Sequence, residues 1–243
     1  MNPDKLKIAI LGGTGNIGEG MVLRLALQNL MTDGVKNEVI IGSRSRETAD
    51  EAAKQALLEL GNCGFDTSKI IITGNTNLEA AKAAELIILT IRFDHVLPLL
   101  DESREALENK ILVTPVVPMA KEGNLFIYKP TAEDSAALAI QKKVPESTKV
   151  VAAFHNIPAG KLKDIVKCKA VHDAIVCSDD AEAKKLVMEL ARNMGCWRPL
   201  DGGPLNQAST VLHQLDQKII YPHYDFKHLT EKYFEIGMKL RNG

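Results

Sequence analysis

The segment with the clearest chemistry lies near the start of the chain. Leu11-Gly12-Gly13-Thr14-Gly15-Asn16-Ile17-Gly18-Glu19-Gly20 sets Gly13, Gly15 and Gly18 in a G-x-G-x-x-G register. Glycine at the first position permits a tight turn. At the second it lets the backbone approach a pyrophosphate, and at the third it permits close helix–sheet packing. The free N–H groups and positive dipole end of a helix start would complete a cradle for phosphates. The motif carries weight only between a strand and a helix. Here Lys7-Ile8-Ala9-Ile10-Leu11 precedes it, and apolar residues at helical spacing run from Met21 to Met31 after it. A glycine turn that merely packs is the blander reading, and this context disfavours it.

The end of the second apolar run selects among dinucleotides. A site for NAD usually carries Asp or Glu there, accepting from the ribose 2′-hydroxyl. This chain has Gly42-Ser43-Arg44-Ser45-Arg46, with no carboxylate before Glu47. Ser43 can donate to a 2′-phosphate, and Arg44 can pair with it and lie against the adenine. Arg46 is a second candidate. The reading is NADP(H), against the alternative of a solvated basic turn that caps the next helix.

These segments need a scaffold, and the rest of the sequence supplies one. Strands are expected at Lys7–Leu11, Glu38–Gly42, Ile70–Thr73, Glu85–Thr90, Lys110–Thr114 and Lys149–Phe154. Helices are expected at Met21–Met31, Arg46–Leu60, Leu78–Ala84, Asp94–Glu108 and Thr131–Lys142. Strands alternating with helices at this spacing argue for βαβ units and an α/β, Rossmann-type, doubly wound, mostly parallel sheet. Pro115, Pro118, Gly123 and Pro130 mark residues 115–130 as a long loop. A smaller α/β unit then begins again: a strand at Asp173–Cys177, a helix at Ala181–Met194, a short strand at Cys196–Leu200, and final helices from Asn206. A boundary at His155–Ala159 divides the chain into a dinucleotide-binding domain, residues 1–157, and a small C-terminal domain, residues 158–243.

The 243 residues are long enough to bury a core without metal or disulfide staples. Thirty Lys plus Arg against 31 Asp plus Glu leave a net charge of −1, which disfavours a generic nucleic-acid binder. The longest apolar run, Leu86–Ile91, is too short to span a bilayer, and the start of the chain has no signal-peptide pattern. Cys63, Cys168, Cys177 and Cys196 form no CxxC pair, so they read as free thiols in a reducing cytoplasm, neither a zinc site nor a disulfide framework. No metal site is expected.

Four further segments belong with the glycine loop and the Ser43-Arg44 pair. Leu89-Thr90-Ile91-Arg92-Phe93-Asp94-His95 follows the fourth strand, Thr114-Pro115-Val116-Val117-Pro118 the fifth, and Phe154-His155-Asn156-Ile157-Pro158-Ala159 the sixth. Arg198-Pro199-Leu200-Asp201-Gly202-Gly203-Pro204-Leu205 lies in the small domain. Over nearly the whole chain this pattern resembles the NADP-dependent reductases of the deazaflavin coenzyme F420, found chiefly in archaea. The resemblance implies hydride exchange between reduced F420 and NADP+, in either direction. It implies that Thr14, Gly15, Asn16, Ile17, Ser43 and Arg44 line the NADP site. His155, Ile157 and Ala159 would lie where nicotinamide and deazaflavin stack, with Ile91, His95 and Val117 as further cofactor contacts. Gly203, Pro204 and Leu205 would help form the deazaflavin pocket. The chain departs from the family pattern at Arg92, where Pro is frequent, and near Thr48, where a Lys sometimes occurs. It also has extra residues between Glu59 and Lys69 and a longer tail.

Hydride transfer between two bound rings needs no protein nucleophile and no metal, only alignment and exclusion of water. The sequence is compatible, with no nucleophile elbow and no HExxH. His155 is read as a ring-orienting group, against the alternative of a loop histidine satisfied by backbone. Arg92 is either a ligand for an anionic cofactor tail or a solvated helix-start residue. Two rival functions stand beside this one. The first is another NADPH-dependent reductase, of an imine, a small carbonyl compound or a metal chelate. The second is a non-enzymatic NADPH-sensing module. The amphipathic segment Phe226–Leu240 suggests a homodimer.

Overall fold

A computed structural model describes residues 5–122, 125–129, 131–166 and 171–209. Its centre is a six-stranded, fully parallel sheet in the order β3-β2-β1-β4-β5-β8. The strands are β1 (Lys7–Leu11), β2 (Glu38–Ser43), β3 (Ile71–Thr76), β4 (Leu86–Leu89), β5 (Ile111–Thr114) and β8 (Lys149–Ala152). The helices between them are α1 (Asn16–Met31), α2 (Arg46–Asn62), α3 (Asn77–Ala83), α4 (Phe93–Glu102) and α5 (Ala136–Lys143). This is the doubly wound arrangement that the alternating pattern predicts.

Side-chain alternation explains why both faces are covered. Ile8 and Ile10 of β1, Val39 and Ile41 of β2 and Leu86 and Ile88 of β4 enter one core, with α1 and α2. Ala9, Leu11, Ile40, Ile87 and Leu89 enter the other, with Ala80 of α3, Val96 of α4 and Ile140 of α5. Strands buried on both faces must be apolar at every position, and β4, read Leu-Ile-Ile-Leu, is fully buried. Register Leu11↔Gly42 and Leu11↔Leu89 aligns the carboxyl ends of the central strands, so the loops that follow them share one edge.

Beyond β8 the chain forms a short helix α6 (Ala159–Lys163), strand β9 (His172–Val176), helix α7 (Ala181–Asn193) and strand β10 (Trp197–Asp201). β9 and β10 pair in parallel. An antiparallel bridge, Ala152↔Cys177, joins this pair to β8. Ala183, Val187 and Leu190 of α7 share the core of α1 and α2.

Three expectations need correction. The stretch 115–130 is not simply a loop: β6 (Met119–Glu122) and β7 (Leu125–Tyr128) form an antiparallel hairpin. The prolines around it conceal Leu125-Phe126-Ile127-Tyr128, whose residue types favour strand. The helix expected over Asp94–Glu108 ends at Glu102 and gives way to a 3₁₀ turn, Arg104–Leu107. The cysteines are not four free thiols. Cys63 and Cys177 are free, but Cys196 is disulfide-bonded. Spacing along a chain does not measure separation in space, and a motif search cannot see such a bond. Cys168 and the amphipathic segment Phe226–Leu240 lie outside the described residues, as does all but the start of the helices expected from Asn206.

One contact limits the sheet's outer third. A Cβ on Gly74 of β3 would lie 2.2 Å from the Asp50 amide nitrogen and 2.3 Å from the Ala49 carbonyl carbon, both in the α2 backbone. Gly74→Ala must therefore separate β3 from α2. It is expected to destabilise the fold by about 2 kcal/mol, read as a lower urea midpoint; an unchanged midpoint would show that the two elements pack less closely.

Candidate functional site

The corner between β1 and α1 is built almost wholly of backbone. Gly12 has φ +76°, a left-handed conformation that side chains rarely adopt. The Gly12 and Gly13 amides both donate to the Gly42 carbonyl at 3.0 Å. A Cβ on Gly13 would lie 2.9 Å from the Ile10 oxygen, and one on Gly18 would lie 2.5 Å from Gly13 Cα. Glycine at these positions is demanded by the fold itself. Gly15 is different. The nearest atoms to a Cβ there are the Gly12 oxygen at 3.4 Å and the Thr90 oxygen at 4.0 Å, ordinary contacts. Its smallness leaves an open cradle at the start of α1. Gly15 is also the N-cap, and it contributes no side-chain cap. The first-turn N–H groups therefore face a space suited to phosphate oxygens. Thr14 and Ile17 border it half-buried, and Asn16 is exposed.

At the end of β2, Ser43 is buried and Arg44 is exposed. Arg44 makes no hydrogen bond or ion pair among the described residues. Arg46 is already paired with Asp50 at 3.6 Å, one helical turn on. Ser45 caps α2 by accepting from the Thr48 amide at 3.3 Å. Arg44 is free to meet an anion, whereas Arg46 would first exchange its exposed pair with Asp50. Asn77, which sequence reading missed, ties this corner together. Its Oδ1 accepts from the Gly12 amide at 3.1 Å and would lie 2.8 Å from a Cβ on Gly42. A polar residue buried at a helix start was the available signal.

The loops after β4, β5 and β8 meet the glycine loop at the same edge. The Thr90 amide and hydroxyl both donate to the Leu11 carbonyl at 2.9 Å. Ile91 lies on the turn, its Cγ1 2.5 Å from where a Gly12 Cβ would stand. His95 is exposed, as is Arg92, which pairs with Asp94 at 2.8 Å. Val117 is half-buried beside buried Val116.

After β8 the chain turns sharply. Phe154 is 2% exposed and has φ +64°, a strained conformation for an aromatic residue. The Ile157 amide closes the turn on the Phe154 carbonyl at 3.1 Å. Within this turn both His155 ring nitrogens are buried without a hydrogen-bond partner, as is Asn156 Oδ1. Burial alone pushes the His155 imidazole down to about 4, so it is neutral at physiological pH. Buried polar atoms without partners are uncommon in native structures and mark a place where a polar ligand group can be received. Asn156 Nδ2 donates to the Asp173 carbonyl at 2.8 Å, fixing the turn to β9. Ile157 is buried, and Ala159 begins α6.

Gly203, Pro204 and Leu205 lie on the turn after β10, which is tied to the end of β9, and Leu205 shares a core with Val116 and Ile91. The Gly203 carbonyl accepts from the Ser178 amide at 3.1 Å, and the Leu205 amide donates to Asp179 at 2.9 Å. Leu205 is fully enclosed in the aliphatic core.

The site thus offers free amides for phosphates, a hydroxyl and a cation for a further phosphate, and a neutral, buried imidazole in a closed turn. Comparisons with known proteins agree with that chemistry. The family profile described as NADP oxidoreductase, coenzyme F420-dependent, matches residues 7–118. The F420-dependent NADP reductase of Methanocaldococcus jannaschii is 37% identical over 213 residues, 85% of this chain and 87% of that protein. Its counterpart in Methanothermobacter marburgensis is 37% identical over 212 residues, 85% of this chain and 88% of that protein. A crystal structure of a candidate F420-dependent NADP reductase from Arthrobacter sp. FB24 superposes with a TM-score of 0.67 at 25% identity, covering 86% of this chain and 90% of that one. The likeness extends from the glycine corner through the β8 turn into the second unit, and it places this chain in the family of F420-dependent NADP reductases.

Proposed function

We propose that this protein transfers a hydride between reduced coenzyme F420 and NADP+, reversibly. Family membership carries the reading, and the β2 corner supports its NADP half: a serine hydroxyl and an unpaired guanidinium stand where a carboxylate would select NAD. When bound, the nicotinamide and the deazaflavin supply the chemistry, since each accepts or releases a hydride at a ring carbon. The residues of the chain bind, orient and exclude water. The α1 amides hold the pyrophosphate, aided by Thr14, Asn16 and Ile17, and Ser43 and Arg44 hold the 2′-phosphate. Ile91 and Val117 wall the ring site, with His95 at its rim. His155, Ile157 and Ala159 form the surface on which the two rings are aligned, His155 donating from a neutral imidazole.

The proposal includes a division at residue 157, a homodimer and a cytoplasmic location. No helix among the described residues is long and apolar enough to cross a membrane. The direct test is to mix oxidised F420, NADPH and the protein and follow the deazaflavin's visible absorption. Bleaching is expected. If NADPH were oxidised neither by F420 nor by a carbonyl or imine substrate, a reductase would be rejected altogether.

Two variants probe the two halves of the site. Arg44→Ala removes a charged hydrogen bond worth about 1.5–3 kcal/mol. The NADP(H) dissociation constant should rise roughly ten- to a hundredfold, with little change for NAD(H). Equal weakening of both cofactors in equilibrium titrations would exclude a 2′-phosphate contact.

The second variant is His155→Asn. It should slow single-turnover transfer by roughly tenfold, less than His155→Ala does. The wild-type rate should show no inflection near the ordinary histidine value of about 6.5. The linkage has a definite sign. Below about pH 6.5 the unfolded chain binds a proton at this residue, whereas the folded chain does so only near pH 4. Wild type should therefore lose stability relative to His155→Asn as pH falls from 6.5 to 4. Denaturant midpoints at both ends of that range measure it, and parallel losses in the two proteins would place the ring in solvent.

A further inference from the structure

Helix α1 has a second face that the dinucleotide does not use. Gly20, Arg24 and Gln28 recur every four residues and so form one stripe along it. All three are buried, Arg24 to 3% exposure and Gln28 to 1%. A Cβ on Gly20 would lie 2.5 Å from Leu162 Cβ and 3.2 Å from the Lys163 amide, so α6 rests on α1 at backbone distance. The Arg24 guanidinium then closes the end of α6. Nε donates to the Leu162 carbonyl at 2.9 Å, and Nη2 donates to the carbonyls of Lys161 at 3.0 Å and Asp164 at 2.7 Å. Its Cζ lies over the Trp197 ring, 5.8 Å from the centroid, and Nη1 reaches Cys196 Sγ at 3.7 Å.

α6 has only five residues. A helix that short satisfies little of its own backbone, and its last carbonyls need outside donors. Here one fork of fixed geometry, carried by another helix, supplies them. The residues on the other side of α6 are Pro158, Ile157 and His155. The Leu162 and Lys161 amides bond back to the Pro158 carbonyl, at 3.4 and 2.9 Å, so the turn and the helix move as one piece. Lys163 of the same helix pairs with Glu19 and reaches Asn16 Oδ1 at 3.5 Å, beside the phosphate cradle.

We infer that Arg24 is a positioning residue for hydride transfer: by capping α6 from within α1, it fixes the His155–Ala159 turn relative to the dinucleotide held at the other end of the same helix. This rests on the reading that the turn aligns the two rings. Gln28 provides the control. It is equally buried on the same stripe, but its Nε2 donates to the Leu190 carbonyl of α7 at 2.7 Å and its Oε1 accepts from Asn37 at 3.2 Å. It anchors the fold without touching α6.

The experiment compares Arg24→Met, Arg24→Lys and Gln28→Leu. Single-turnover transfer is measured per NADPH-binding site, and amide hydrogen exchange is followed over residues 157–165 without cofactor. Arg24→Met should bind NADPH within about threefold of wild type, transfer hydride at least tenfold more slowly, and exchange faster in that segment. Arg24→Lys keeps the charge and loses the fork, so its rate should fall between the two; if the Met variant does not fold, the Lys variant decides. Gln28→Leu should lower the melting temperature and leave the rate per site unchanged. Wild-type rates in both Arg24 variants would overturn the inference, and so would an equal slowing in Gln28→Leu, which would mean general loosening. If wild type itself transferred no hydride between F420 and NADP+, the functional reading would fall. The exchange measurement would still decide whether Arg24 holds the turn, and unchanged protection would overturn that too.

Discussion

The molecule depends on how closely helix α1 can approach the end of strand β1. No side chain stands between them at the corner: Gly18 lies against the backbone of Gly13, and a single added carbon there would be 2.5 Å from Cα. That approach fixes the axis of α1, and two separate consequences follow along its length. At its start, uncapped amides open onto the carboxyl edge of the sheet. Two turns further on, the same rigid rod presents Arg24 and Gln28 to the second half of the chain. A Rossmann corner is usually discussed for what it does to phosphate; here it also sets the height at which α6 and α7 dock.

Much of this was legible in the sequence, for identifiable reasons. The strands of the sheet are buried on both faces, so they appear as unbroken runs such as Leu-Ile-Ile-Leu at 86–89 that no other element requires. The glycine register and the Ser43-Arg44 pair are local in sequence and local in space, so their placement at the carboxyl edge of the sheet could be read directly. The NADP preference needed only the absence of a carboxylate at one position.

What escaped the sequence is what depends on distant segments meeting. Helix α6 is too short to show a helical period, and its stability comes from a side chain 137 to 140 residues away. Arg24 and Gln28 lie in the mostly apolar stretch from Met21 to Met31, and nothing local names their partners. The hairpin within 115–130 was hidden by prolines that border strands as often as they end them. The antiparallel bridge between Ala152 and Cys177, which turns β9 back along β8, is a pairing that no local pattern announces. The bond at Cys196 likewise has no signature in spacing.

The left-handed residue before His155 has a consequence for how this site can change over time. Phe154 holds a conformation that costs about 1–3 kcal/mol for a residue with a side chain. It is kept there by a ring that is almost entirely enclosed. Glycine at that position would remove the backbone strain and lose the ring's packing. A smaller apolar residue would keep the strain and lose much of what offsets it. Neither exchange is free, and either would alter the angle at which the next residue leaves the sheet. Position 154 is therefore held by two opposed demands at once. The turn after β8 can drift in sequence around it more easily than at it, and gains in overall stability will be found elsewhere in the chain before they are found here.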